Sequence, residues 1–513
     1  MKSEGVMFRR IGGVAILAVT LGAGCSSSDT EETPSAKPDP RLAVQCTDST
    51  DVFYERPTDL PVFDASHRGD VVRCGPYGKF TLDELKTTAT SLYYEGGIMT
   101  TGVSAYRVAY RTQRSTRADG TKPDGVASAT LFLPDKPRVD GGPTPLVVVA
   151  HGTLGIGGRC APSRGELTVP GDHLDDYRAT IIPLVAAGWI VISPDYPGYG
   201  YGETTGYMDA EDAAHGVLDA TRAASKVLAP GVLSGKVTFV GHSQGGHAVL
   251  SAHAYEPTYG MEGTLEGVAT MAPLWFSPLA FAAMLSPIAG YNTTDSPYPL
   301  SYAMAYFYTH GENVDGPGHG TDMFRPEKRA LVRSIATEDC LFEAGEAMPS
   351  LGEKPPDFFD PDFVDSVGLC GLTGDCTDGD ALVWGARCRA DRPEMNPYGA
   401  PILLWFGGLD PTISPGFAVC GLDNLRAGIA AASDATTTLK VCVDATAAHS
   451  GFLADVEDGI DPAAAITRRS MDWVDQWIAA RTIGAEEPPA CEGEEAFATE
   501  SGPRKCSTPP PND

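Results

Sequence analysis

Basic residues and long apolar runs are scarce in this sequence of 513 residues. It contains 38 Lys and Arg against 67 Asp and Glu, which gives a formal net charge of −29. Because binding to a phosphate backbone requires clustered Lys and Arg, we do not expect nucleic acid as a partner. After the N-terminal segment no run approaches the roughly 18 apolar residues of a spanning helix, so the mature chain is not expected to cross a membrane. The acidic surplus is typical of a protein kept soluble outside the cytoplasm.

Metal-binding spacings are also missing. The sequence has no C-x-x-C pair and no H-E-x-x-H, so neither a zinc site nor another cofactor is expected. Its 12 cysteines instead indicate the disulfides of an exported protein. Apart from Cys25 they are odd in number, so one thiol would be left over. Hydrophobic residues make up 42% of the chain, which is enough for one large core with an insertion or for two domains.

The N-terminus has the pattern of a secretory signal. Three basic residues precede an apolar stretch at residues 11–21, and small residues then lead to Cys25. This stretch is too short for a spanning helix. The ending resembles a bacterial lipobox with its Leu one position early, which predicts removal of residues 1–24 and a lipid anchor on Cys25. The alternative is a plain secretory signal in which the cysteine is coincidental.

The remaining chain alternates between strand and helix patterns. Residues 25–45 are predicted to be a disordered tether, and residues 46–100 show no clear pattern beyond a helix at 82–94. Further on, we predict strands at 103–111, 126–133, 145–150, 189–193, 237–240, 267–271, 401–406 and 439–443, and helices at 176–187, 209–228, 415–432 and 463–480. The first two strands are expected to pair antiparallel. The alternation predicts an α/β fold, with a mostly parallel, doubly wound sheet and helices on both faces.

Residues 275–396 interrupt this alternation. They are rich in Pro, Tyr, Phe and Met, and they contain a glycine-rich loop at 310–320 and four cysteines. We interpret them as a mainly helical cap inserted between two parts of a core, residues 46–274 and 397–483. A polar tail at 484–513 completes the predicted organisation.

The strongest chemical signal is the stretch VTFVGHSQGGHAVL at residues 237–250. A predicted strand leads into Gly-His-Ser-Gln-Gly, and small residues suited to a helix follow. A G-x-S-x-G turn of this kind holds its serine in strained backbone geometry with the hydroxyl exposed, and its glycines avoid collision with the neighbouring chain. Ser243 is therefore the predicted nucleophile.

A nucleophilic serine needs a base and an acid that orients the base. His449 follows the last predicted strand, at the edge where Ser243 emerges, and is the predicted base. His242 is adjacent to Ser243, and we expect its side chain to leave in another direction. Asp410, in the sequence GGLDP after the penultimate strand, is the predicted acid, with Asp444 as its rival.

The oxyanion formed during acyl transfer needs two backbone N–H donors. One is predicted to be Gln244, the residue after the nucleophile. The other is predicted to be Thr153, in the loop His151-Gly152-Thr153 after what we count as the third strand. We expect His151 to position this loop rather than to take a proton. Asp195 also ends a strand but precedes the serine, and we interpret it as structural.

Several motifs together resemble the secretory lipase family of the α/β-hydrolase fold. They are HGTLG at 151–155, CAPS at 160–163, SPDYPGYG at 193–200, LDATRAA at 218–224, GHSQGG at 241–246, GGLDP at 407–411 and the late His449. The resemblance covers roughly residues 100–482. It implies an extracellular carboxylic-ester hydrolase, often acting on triacylglycerols, with a triad of Ser243, Asp410 and His449 and a helical cap over the acyl pocket. Because no motif matches in residues 275–396, the resemblance favours an ester hydrolase more firmly than a lipase.

Apolar and aromatic side chains follow the strand that ends beside Ser243. An acyl site is mostly apolar, and methionine adapts to irregular ligands. Trp275, Phe276, Met284 and Phe307 are therefore predicted to line the acyl pocket. The alternative is that these residues form the core of the cap itself.

Together these patterns predict an exported, monomeric serine ester hydrolase without cofactors. Its substrate would be an ester or a lipid, and Cys25 would attach it to the membrane surface. Two alternatives remain, a serine peptidase on the same fold and a catalytically silent surface-binding protein. The presence of all three triad residues argues against the silent protein.

Overall fold

A central sheet of nine strands organises the described residues, which are 39–275, 277–377, 379–449 and 462–493 in this computed structural model. The strands are β1 (Val71–Phe80), β2 (Val103–Gln113), β3 (Asp124–Pro134), β4 (Thr144–Ala150), β5 (Ile190–Pro197), β6 (Leu233–His242), β7 (Thr264–Met271), β8 (Ile402–Gly407) and β9 (Leu439–Asp444). Their order across the sheet is β1-β2-β3-β5-β4-β6-β7-β8-β9.

Two parts of this sheet differ in strand direction. The strands β5, β4, β6, β7, β8 and β9 run parallel, whereas β1, β2 and β3 are antiparallel and join the others through β5. Every residue of β4, β5 and β8 is buried, as continuous apolar runs predict for strands covered on both faces. The predicted mostly parallel sheet and the antiparallel pairing of β2 with β3 are confirmed.

The sequence did not predict β1. Its residues VVRCGPYGKF include glycine and proline, which are depleted in strands and hide the alternating pattern. Pairing with residues 103–110 of β2 and a disulfide from Cys74 to Cys46 hold this segment at the sheet edge. The strand before the HGT loop is therefore the fourth strand and not the third.

The helices are α1 (Thr50–Tyr54), α2 (Leu82–Ser91), α3 (Asp175–Ala186), α4 (Ala210–Val227), α5 (Gln244–Tyr259), α6 (Ala280–Leu285), α7 (Pro297–His310), α8 (Arg329–Glu338), α9 (Leu341–Ala347), α10 (Pro355–Phe358), α11 (Pro361–Thr373), α12 (Gly379–Ala390), α13 (Pro415–Ala430) and α14 (Ile466–Ile483). Side-chain caps begin several of them; Asp209, for example, accepts from the Asp212 N–H at the start of α4. In the core, α3 packs with α14 and α4 packs with α5, and both pairs contact the sheet.

The chain between β7 and β8 contains seven of these helices, α6 to α12, among its described residues. We call residues 275–396 the cap segment; its exact bounds remain a prediction. Aromatic side chains form its interior, where the Phe307 ring lies 4.9 Å from Trp384, 5.4 Å from Phe363 and 5.7 Å from Phe359, between centroids. This burial explains why a segment with little helical periodicity still folds into helices.

Disulfides connect distant parts of the chain. The bonds are Cys46–Cys74, Cys160–Cys340, Cys370–Cys376 and Cys442–Cys491, and Cys420 is also disulfide-bonded. Among the described cysteines, Cys388 is a buried free thiol. The predicted disulfides are confirmed. Cys491 fixes the first part of the polar tail to β9, where the Val443 N–H also donates to Glu492 O at 2.9 Å.

Five predictions concern residues outside the described ranges: the signal at 1–24, the anchor on Cys25, most of the tether, Phe276 and the polar tail beyond residue 493. Within the described ranges, no helix combines the length and the apolar character that crossing a membrane requires.

Candidate active site

Ser243 lies at a tight turn between β6 and α5. Its backbone has φ 55° and ψ −117°, a left-handed conformation that a non-glycine residue adopts only under strain. The flanking glycines leave room for this turn. A Cβ on Gly241 would lie 2.1 Å from Gly245 O, and a Cβ on Gly245 would lie 2.0 Å from Ala150 O. Any larger residue at either position would force the turn apart.

His449 follows β9 and faces this serine. Its Nε2 lies 3.0 Å from Ser243 Oγ, a distance at which imidazole can accept the hydroxyl proton. Ser243 is 4% exposed and His449 is 5% exposed. Water therefore has little access to the hydrogen bond between them.

Asp410 completes the chain of contacts. Its Oδ2 lies 2.8 Å from His449 Nδ1, and its Oδ1 accepts from the Thr412 and Ile413 N–H groups at 2.8 and 2.7 Å. The carboxylate is therefore fixed through both oxygens, which sets the direction in which it meets the imidazole. The structure thus brings together all three residues of the predicted triad.

The two other acids considered from the sequence are engaged elsewhere. Asp444 Oδ1 accepts from the Thr446 N–H at 3.0 Å, and its Oδ2 lies 2.6 Å from Arg469 Nε. Asp195 is fully buried and accepts from Ser128 Oγ at 2.6 Å and from the Ser163 N–H at 3.0 Å. Burial raises the pKa of Asp195. It therefore links β3 and β5 to the CAPS motif, as the structural interpretation expects.

The predicted oxyanion donors are Thr153, in the loop after β4, and Gln244, the first residue of α5 directly after Ser243. In the described part of the chain, neither the Thr153 N–H nor the Gln244 N–H donates to a protein acceptor. Two tyrosines fix the HGT loop. The Tyr196 hydroxyl donates to His151 O at 2.8 Å, and the Thr153 and Tyr207 hydroxyls lie 3.0 Å apart. The lack of a protein acceptor in the described residues is what an oxyanion donor requires before substrate binds.

The His151 side chain contacts the backbone of its own loop. Its Nδ1 lies 2.6 Å from Gly152 O, and its ring is 2% exposed. Burial lowers the pKa of His151 to about 4, so its imidazole is neutral near pH 7. These contacts agree with a role in positioning the loop.

A cavity of about 620 Å³ opens beside the triad. Its apolar and aromatic lining includes Phe281, Met284, Tyr302, Leu341 and Phe417, so the cap segment supplies one wall and the core the other. Met284 lines this cavity, and its place in an acyl pocket stays a prediction. No Lys or Arg contributes to the lining among the described residues.

Trp275 and Phe307 do not line the cavity, which corrects their predicted place in the acyl pocket. Phe307 is five positions from Tyr302 on α7, or about 140° around the helix, and it faces the aromatic interior of the cap segment instead. The Trp275 ring lies 5.5 Å from the His247 ring and under the Arg392 guanidinium. Its side chain therefore turns toward α5 and away from Ser243.

His242 is also placed differently from the prediction. Its ring does not leave the site, because it lies 4.7 Å from the His449 ring and lines the same cavity. Its Nδ1 lies 2.5 Å from Asp176 Oδ2, on the first turn of α3. The sequence carries no local signal for this pair, since 66 residues separate its members.

Among the described residues, no group of three His, Cys, Asp or Glu side chains is arranged to hold a metal ion. The expectation that the protein needs no cofactor stays a prediction.

The secretory lipase family model matches residues 174–274, which extend from α3 to the turn after β7 and include Ser243. The match confirms the resemblance predicted from the motifs and supports carboxylic ester hydrolase activity. No curated protein sequence matches the chain.

Solved structures share the fold. The ligand-bound rice cell wall degrading esterase LipA from Xanthomonas oryzae is 19% identical, with a TM-score of 0.55 over 81% of this chain and 99% of that chain. Candida antarctica lipase A is 14% identical, with a TM-score of 0.55 over 86% of this chain and 87% of that chain. At these identities the similarity shows the α/β-hydrolase fold alone.

Proposed function

We propose that the protein is an exported serine hydrolase that cleaves carboxylic esters with a triad of Ser243, His449 and Asp410. The observation that carries the proposal is the contact chain from Asp410 Oδ2 through His449 to Ser243 Oγ, with distances of 2.8 and 3.0 Å. It lies at the wall of a cavity large enough for an ester. Beside it are the Thr153 and Gln244 N–H groups, which have no protein acceptor among the described residues.

The reaction follows from this arrangement. His449 Nε2 takes the hydroxyl proton as Ser243 Oγ bonds to the ester carbonyl carbon, and the Asp410 carboxylate stabilises the imidazolium. The Thr153 and Gln244 N–H groups donate to the oxyanion. The imidazolium proton then passes to the leaving alkoxide as the ester C–O bond breaks, which leaves an acyl-enzyme. Water attacks by the same route and releases the acid.

The cavity indicates which esters fit. Its apolar side chains suit an acyl chain, and Met284 and Phe281 of α6 lie on that wall. Among the described residues the lining contains no Lys or Arg and five carboxylates, those of Asp172, Asp175, Asp176, Asp295 and Glu346. A neutral ester is therefore favoured over one that bears a free carboxylate.

The place of action is part of the same proposal. The disulfides are consistent with export, because such bonds persist in oxidising compartments. The lipobox-like ending supports a lipid anchor on Cys25, which would hold the enzyme at the membrane surface.

A fluorophosphonate probe tests the nucleophile, because such probes react with activated serines. We expect one labelled peptide, containing Ser243, and no labelling of the Ser243→Ala variant. A matched pair of substrates, a p-nitrophenyl ester and the p-nitroanilide with the same acyl group, then tests the reaction class. Faster cleavage of the anilide would contradict ester hydrolysis, and labelling at another serine would contradict the assignment of Ser243.

A further inference from the structure

His242 and Asp176 form a second imidazole–carboxylate pair beside the triad. Asp176 Oδ2 lies 2.5 Å from His242 Nδ1, and Thr467 Oγ1 donates to Asp176 Oδ1 at 3.5 Å. His242 is 2% exposed, and in the described part of the chain neither Nδ1 nor Nε2 makes a well-aligned hydrogen bond, so Asp176 meets the ring as a close charged contact. Burial of a polar ring without a full set of hydrogen bonds lowers the stability of the fold by about 1–3 kcal/mol. A residue kept at such a cost is a candidate for a functional role.

The pair contacts both functional parts of the site. The His242 ring lies 4.7 Å from the ring of His449, tilted by 43°. On another side, a Cβ added to Gly152 of the oxyanion loop would lie 3.4 Å from His242 Nδ1. His242 is therefore packed between the base and the loop that carries the Thr153 N–H.

We propose that Asp176 and His242 are positioning residues for ester hydrolysis: His242 supports the ring of His449 and the oxyanion loop, and Asp176 supplies a second negative charge that favours the His449 imidazolium. The inference rests on the proposed function, because it assigns a role relative to the proposed base.

Electrostatics around the pair agree with this role. Burial raises the pKa of Asp176, but His242, His449 and Arg468 outweigh burial and hold the pKa below its ordinary value. The attraction is mutual, so the Asp176 carboxylate also favours a positive charge on His449. Asp176 is thereby ionised throughout the working range of an ester hydrolase.

Several charged or titratable groups of the described residues surround the His449 ring. Asp410 contributes from the turn after β8, Asp176 from α3, His242 from the end of β6, and Tyr302 from α7. Burial raises the pKa of Tyr302, and the Asp176 and Asp410 carboxylates add to the rise, so its hydroxyl stays neutral. Arg468 of α14 acts through Asp176. Asp176 and Asp410 are thus two anions of the described residues that act on the base.

The pH dependence of kcat/KM distinguishes this role from simple packing. Its acidic limb reports protonation of the base in the free enzyme. In Asp176→Asn the imidazolium loses one stabilising anion, so the limb should move to lower pH. In His242→Gln the Asp176 carboxylate no longer pairs with an imidazole at position 242, so its negative charge acts more fully on His449. The acidic limb should therefore move to higher pH. We expect the two limbs to differ by about one pH unit.

A soluble p-nitrophenyl ester and full-length enzyme suffice for this experiment. In both variants kcat should fall about tenfold with little change in KM, as expected when groups act in the transition state. Asp176→Glu should restore the wild-type limb, and Asp444→Asn is the control for loss of one carboxylate elsewhere. The position of a limb does not depend on how much enzyme is folded, so partial misfolding does not obscure it.

The positioning role would be overturned if the acidic limbs of wild type, Asp176→Asn and His242→Gln coincided. It would also be overturned if the limb moved to higher pH in Asp176→Asn and to lower pH in His242→Gln. Failure of the hydrolase proposal has a different signature, because wild-type Ser243 would then remain unlabelled by the fluorophosphonate.

Discussion

The triad edge, formed by the turns after β6, β8 and β9, and the cap segment line one cavity but are held in different ways. Backbone hydrogen bonds fix the triad edge: Ser243 N donates to Met271 O at 3.0 Å, Gly408 N to Asp444 O at 2.7 Å and Leu409 N to Ala447 O at 2.9 Å. The cap segment depends on packed side chains around Phe307 and on the Cys160–Cys340 bond.

This difference predicts that substitutions in the two regions affect different properties, catalysis at the triad edge and stability in the cap segment. A residue on the triad edge can lose its side chain while the backbone stays in place, so its replacement should remove function and leave the fold. A residue in the interior of the cap segment supports its neighbours directly, so its replacement should remove stability first. Each of the following substitutions tests one side of that contrast.

Ser243→Ala should have the largest effect. The hydroxyl is the proposed nucleophile, so kcat on a p-nitrophenyl ester should fall about 10⁴- to 10⁶-fold. Its strained turn is fixed by backbone contacts, so the midpoint of thermal unfolding should not fall. Turnover close to wild type would contradict the assignment, and a large loss of stability would contradict the contrast.

Asp410→Asn should follow, with kcat lower by about 10⁴-fold. An amide at this position cannot stabilise the imidazolium and favours the wrong tautomer of His449. Asp444→Asn is the matched control, because it removes a carboxylate from the same sheet edge without touching the imidazole. Equal losses in the two variants would show that charge at this edge, and not the contact with His449, determines the rate.

Phe307→Ala should lower the free energy of unfolding by about 3–5 kcal/mol, because it empties a fully buried aromatic site. Urea unfolding with the disulfides intact measures the change. Turnover of an acetate ester by the folded fraction should remain near wild type, since Phe307 does not line the cavity. A changed chain-length preference with unchanged stability would instead restore Phe307 to the acyl pocket.

Met284→Ala should have the smallest effect. Its side chain lines the cavity, so a shorter one should change the ratio of kcat/KM for long and short acyl esters by about tenfold. A panel of p-nitrophenyl esters measures this ratio. Equal losses on every ester would mean that Met284 supports the cap segment and does not contact the acyl chain.

The triad edge could be predicted from the sequence, whereas the roles of individual residues in the cap segment could not. Ser243, Asp410 and His449 each come within five residues after the end of a strand. Because parallel strands end at a common edge, chain order alone places these residues together. No comparable rule applies in the cap segment. Met284 and Phe307 have similar apolar surroundings in the sequence, and only the packing of α7 against Phe363 and Trp384 separates their roles.

Two further misses have physical causes of the same kind. β1 contains Gly75, Pro76 and Gly78, and its strand character depends on pairing with β2. The sequence predicts that His242 points in another direction from its neighbour Ser243, yet the left-handed backbone of Ser243 and the distant Asp176 carboxylate set its ring beside His449. Both features arise between segments that are far apart in the chain.

The Cys160–Cys340 bond has a consequence for proteolysis. It closes a ring across 180 positions, and Ser243 lies inside this ring while Asp410 and His449 follow it. Residues 317–319, between α7 and α8, are exposed and lie inside the same ring. A protease that cuts there separates the nucleophile from its base in the peptide chain, but the two fragments stay joined through the sulfurs. An enzyme nicked in this way would run as two bands on a gel only after reduction.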